Sequence, residues 1–172
     1  MKLTAKETQW KNPMRAERIL LLTLACLPFL VFGCVSQPAP IETREFYFSS
    51  GGAYHFEGYG EWSILLGKDG SFAVSHNVQG EIIEYGPYIL SAEENAGLWN
   101  LVDAAGVNSL KSSERPGIPD EVQYTLALKE NGSRHEVQIW IGEVQEIENV
   151  TRLVDQIGVL IEAYTGQQPV MK

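Results

Sequence analysis

Three sets of residues in this chain are of types that can do chemistry. The first is a pair of cysteines: Cys26 sits inside an apolar N-terminal run, and Cys34 stands just beyond it. The second is His55, His76 and His135, none of which lies in a zinc-ligand or catalytic spacing. The third is an acid-and-cation loop between Ser112 and Glu121. No serine occupies a Gly-x-Ser-x-Gly turn. Gly51-Gly52 and Gly58-Tyr59-Gly60 lack both the period and the following helix of a phosphate cradle. Glu114, Asp120 and Glu121 supply oxygens of the kind calcium takes, but not in EF-hand order. The expectation is a protein with no catalytic residue, no metal and no other cofactor. An envelope hydrolase with dispersed residues is the alternative, because triads are set by geometry and not by order along the chain.

The loop holds Arg115, Pro116, Gly117, Pro119, Asp120 and Glu121, and it is long for a connection in so small a domain. One reading is a stiffened recognition loop that offers a cation and two acids to a protein partner. The other is a loop that caps the core, with Arg115 paired locally to Glu114 or Asp120. Trp140 alternates away from the apolar face of its strand, as contact anchors do, unless a loop or helix covers it. Arg115, Asp120, Glu121 and Trp140 are therefore the candidate partner contacts. Trp62 and Trp99, set among apolar neighbours, are assigned to the core. The glycine-rich run from Ser49 to Gly60, with Tyr54, His55, Phe56 and Tyr59, reads as an irregular hairpin or a ligand-facing loop.

The apolar run from Ile19 to Phe32 is shorter than the ~20 residues that span a bilayer. Basic residues precede it, in the order of a secretory signal. At its end, Val31-Phe32-Gly33-Cys34 resembles the lipobox of bacterial lipoproteins, on the strength of Val31, Gly33 and Cys34. The resemblance implies cleavage before Cys34, a diacylglyceryl group on its thiol, and membrane attachment through the acyl chains. Because Val35 is not Asp, it also implies the outer membrane, facing the periplasm, in a source that has one. The expected organisation is a signal peptide over 1–33, an acylated extended tether over 34–43, one domain over 44–166 and a tail over 167–172. Pro38 and Pro40 stiffen the tether.

Charge narrows the partners. Five of the 13 basic and two of the 22 acidic residues precede Cys34, which leaves eight against twenty, a balance of −12. Such a surface repels nucleic-acid phosphates, so no nucleic acid is expected as a ligand. Loss of Cys26 with the leader leaves no thiol to pair with Cys34, and a domain of this size can fold on its core alone.

The elements that must position these residues are legible as patterns. Strands are expected at 44–49, 61–66, 71–76 and 81–90, with Asp69-Gly70 as a hairpin turn and Pro87 at an edge or bulge. Ser91 and Glu94 form a capping box for a helix that ends near Gly106. Residues 121–128 and 135–141 alternate as a hairpin about Asn131-Gly132. A final helix over 143–164 carries the stripe Val144, Ile147, Val150, Val154, Ile157, Ile161 and Tyr164, and Gly166 ends it. The fold class is α+β: an antiparallel sheet of about five strands with two helices packed on one face, in the order β-β-β-β-α-β-β-α. Met1 to Pro13 add nothing a leader needs, so translation is expected to start at Met14. Disabling the Met1 codon should leave expression intact, and its abolition would refute that start.

Overall fold

Arg44–Ser49 (β1) turns Phe46 and Phe48 to one face, where both lose all solvent exposure. The computed structural model describes residues 43–52, 60–119 and 121–171. The expected leader, Cys34 and tether, the part of the glycine-rich run with Tyr54, His55, Phe56 and Tyr59, and Asp120 lie outside them. No helix of the described residues is long and apolar enough to cross a membrane.

After β1 come Glu61–Gly67 (β2), Ser71–Val78 (β3) and Glu81–Ile89 (β4), a meander of antiparallel neighbours. The chain then passes through the helix Ala92–Ala105 (α1) and a 3-10 turn at Val107–Ser109. It returns beside β1 as Gln123–Glu130 (β5), and Ser133–Trp140 (β6) completes the sheet in the order β4-β3-β2-β1-β5-β6. All six expected strands join one sheet, against the count of about five. Among the described residues, three helices follow the α+β plan where two were expected. A one-turn helix, Ile141–Val144 (α2), is separated from the long helix Glu148–Thr165 (α3) by Ile147, whose φ of −105° and ψ of 91° interrupt the helical path. The apolar stripe runs unbroken through that interruption, so periodicity alone could not show it.

Side-chain alternation decides which face is buried. Register pairs Phe46 with Leu66 and Leu128, and Phe48 with Ile64 and Leu126, so one face of the sheet is apolar across its width. The helices α1 and α3 pack on each other and on that face through Leu98, Trp99, Val102, Val150, Leu153, Ile157 and Ile161. Each large apolar side chain so covered contributes about 1.5–3 kcal/mol. Trp62 belongs to this layer, with His76 stacked on its ring at 3.9 Å between centroids. Met171 packs against the same core, and its carbonyl accepts from the Tyr124 hydroxyl at 2.6 Å. Burial pushes the Tyr124 hydroxyl up to about 12.

Local signals set the ends of the elements. The Ser91 hydroxyl accepts from the Glu94 N–H at 3.2 Å, and Glu94 accepts from the Ser91 N–H at 2.9 Å. Asn131 and Gly132 both take positive φ, the twist a two-residue hairpin needs. Gln79 and Gly80 make the same turn between β3 and β4. Pro87 stands on edge strand β4 beside a register shift opposite Phe72 and Val74, where its missing donor costs nothing. Ile157 is fully buried on α3, so Ile157→Ala should lower the unfolding free energy by about 2–5 kcal/mol in urea titration. A loss below about 1 kcal/mol would mean that α3 does not seal the sheet.

Candidate functional site

Arg115, Glu121 and Trp140 are brought together by the long loop, which folds back along β6. Backbone bonds lay it down: the Ser113 N–H donates to the Gln138 carbonyl at 2.9 Å, and the Ser112 hydroxyl accepts from the Gln138 N–H at 3.1 Å. The Ser113 hydroxyl accepts from the Trp140 N–H at 3.0 Å and itself donates to Glu143 on α2. The Arg115 guanidinium then grips Glu121 with two parallel bonds of 2.8 and 2.5 Å, and its Nε lies 2.7 Å from Glu143. Its carbon sits 5.8 Å from the centre of the Trp140 ring, while the Trp140 indole N–H donates to the Arg115 carbonyl at 3.0 Å. Gly117 presses against the same ring so closely that a Cβ there would stand 2.5 Å from it.

The electrostatics follow from this geometry. Glu121 accepts from Arg115 and from the backbone N–H groups of Ile118 and Gly142, and its carboxyl is held down at about 2. The Arg115 bonds are the main cause, and burial opposes them. Arg115 is pushed up in turn by the same bonds. Trp140 lies on the face of β6 away from the helices, as its alternation required, but the loop covers it to half-buried. The cation and the acid expected to meet a partner thus meet each other, and Glu143 joins them. Asp120 lies outside the described residues. A matching cluster stands at the start of β1, where Arg44 lies 4.3 Å over Trp99 and pairs with Asp103 and Glu130.

The sheet face opposite the helices holds a place that sequence reasoning passed over. Register aligns Glu84, Ser75, Ser63, Ser49, Thr125 and Gln138 in one row across all six strands. The next row runs through Ala73, Leu65, Tyr47 and Ala127. Small side chains make the floor low, and Tyr47, Leu65, Glu84 and Pro87 rise around it to enclose a groove of about 340 Å³. That is near the lower end of small-ligand sites. Leu65 is 48% exposed, and the Ser63 and Ser75 hydroxyls bond each other at 2.7 Å. The groove offers an apolar wall, two hydroxyls and one carboxylate, a set suited to holding a molecule with an apolar side and a donor or cation. The signal was present as small and polar residues at every second position, but it acquires meaning only when the registers are known. Among the described residues, no group of three or more histidine, cysteine, aspartate or glutamate side chains is placed to hold a metal ion.

Compared with known protein families and with curated proteins, the chain matches none.

The Arg115 clip has a signed pH dependence. A carboxyl lowered in the folded state stabilises above its ordinary value, and that contribution is lost as pH falls through the folded one. The stability difference between wild type and Arg115→Gln should therefore be full above pH 4.5 and shrink as pH falls toward about 2. Urea midpoints measured across that range check it; a difference independent of pH would show that Glu121 is not held by Arg115.

Proposed function

We propose that this protein is a lipid-anchored lipoprotein of the bacterial envelope whose domain is a non-catalytic binding or assembly module. The anchor rests on the sequence: an apolar leader of secretory length, Cys34 at its end in a lipobox-like setting, and a proline-containing tether leading to β1. Acyl chains contribute about 0.8 kcal/mol for each buried CH₂, so two or more on Cys34 make a firm attachment. The cell-envelope location, facing the periplasm from the outer membrane in a source that has one, follows from the same residues.

The observation that carries the binding role is the one-sided sheet. Helices cover one face, while the other presents the groove at Tyr47, Leu65, Ser63, Ser75 and Glu84 to the surroundings. Antiparallel sheets commonly leave one face to solvent, but here that face is hollowed into a groove with the exposed Leu65 in its wall. The Arg115 and Trp140 cluster borders the far edge of the sheet and supplies a rigid rim at which a protein partner can rest.

Mass spectrometry of the native protein extracted from membranes tests the anchor. The expected species begins at Cys34 and carries diacylglyceryl mass on its thiol, and Cys34→Ser should move the protein to the soluble fraction. A chain that keeps residues 14–33, or one that begins at Cys34 with a bare thiol, would end the proposal.

A further inference from the structure

The two rims of the sheet are finished differently. Along β6, the backbone of Gln138 is bonded in both directions by Ser112 and Ser113, and the Trp140 N–H is bonded by the Ser113 hydroxyl. Along β4, no described residue bonds the outer side of the stretch 81–85. In that stretch every second residue turns its N–H and C=O away from β3. Beyond the stretch Pro87 has no N–H to give a further strand, although β4 itself pairs with β3 again at Tyr88 and Ile89.

The open rim is also apolar where rims are usually charged. Ile82 is 64% exposed and Ile83 49%, although they are neighbours in sequence and point to opposite faces. Register places Ile82 and Glu84 on the face away from the helices, opposite Asn77 and Ser75. It places Glu81, Ile83 and Tyr85 on the helix face, opposite Val78, His76 and Val74. Neither β3 nor β4 contains a lysine or arginine, so nothing on these two strands balances Glu81 and Glu84. A second copy of the chain would bring its own Glu81 and Glu84 to the rim and −12 of charge behind them.

We propose that the β4 rim takes an extended segment of a partner protein as a seventh strand, and that this segment reads basic-apolar-apolar-basic. Such a segment sets a cation beside Glu81 and another beside Glu84, and covers Ile82 and Ile83 on the two faces. The pattern is the same read in either direction, so it fits parallel or antiparallel addition. Backbone bonds supply affinity in this mode, and the side-chain pattern supplies choice. The inference needs neither the acyl anchor nor the groove.

The test uses the full chain, isotope-labelled in neutral detergent, with a synthetic peptide containing lysine-valine-valine-lysine between threonines. Amide exchange and chemical shifts should show new protection at 82–85 and nowhere on β6. A peptide with glutamate in place of both lysines should bind at least tenfold more weakly, and so should the lysine peptide to Ile83→Lys. Ile83 is half exposed, so that variant should keep the wild-type spectrum elsewhere, while Tyr47→Ala should bind the lysine peptide as wild type does. Equal binding of the glutamate peptide, protection away from β4, or undiminished binding by Ile83→Lys would overturn the proposal. Protection of 82–85 that appears without peptide as protein concentration rises would also overturn it, and would make the occupant a second copy.

Discussion

One strand holds the rest in place. Phe46 and Phe48 on β1 are sealed only when β2 and β5 flank them and both long helices lie above them. The chain supplies β2 at once, but β5 arrives only after the sequence has gone out to the β4 rim and crossed back through α1. The apolar face of the first four strands therefore stays incomplete until β5, β6 and α3 close it. That long return ties the two halves of the sequence into a single core, with α1 and α3 packed on each other across the join.

Much of this was legible. Period-two alternation in β5 and β6, the Ser91 capping box, the Asn131-Gly132 turn and the α3 stripe each signal by local spacing, and the structure places them where that spacing requires. The Gln79-Gly80 hairpin was not marked, since glutamine rarely takes positive φ and only its glycine hints at a turn. The interruption at Ile147 was hidden because Val144, Ile147 and Val150 keep helical spacing across it. Glu143 was missed as a partner of Arg115 because 28 positions separate them and the pairing depends on β6 laying α2 beside the loop. The open-face groove failed to show for a related reason: Ser49, Ser63, Ser75 and Thr125 look like ordinary strand polars until register lines them up.

The two arginines illustrate how charge is spent in an acidic protein with few cations. Arg44 and Arg115 each lie against a tryptophan and between two carboxylates, Asp103 and Glu130 for one, Glu121 and Glu143 for the other. Each cluster ties together segments distant in sequence: β1 to α1 and β5 in the first case, the long loop to α2 and β6 in the second. Cations committed in this way are not available to neutralise the remaining acids, and the edge strand β4 carries Glu81 and Glu84 with no lysine or arginine on it or on β3.

The seal that Ser112 and Ser113 place on β6 has a consequence for growth. Over Gln138 and Trp140 that side of the sheet is closed to a further strand, whereas β4 is open over 81–85. A guest strand taken up along β4 finds no matching place beside Gln138 and Trp140 of a further molecule. Linear polymerisation, the usual hazard of an uncovered strand, needs two reactive ends per unit. Two serine hydroxyls and one backbone amide, set along a single strand, occupy the backbone groups that a second pairing would need at that end of β6.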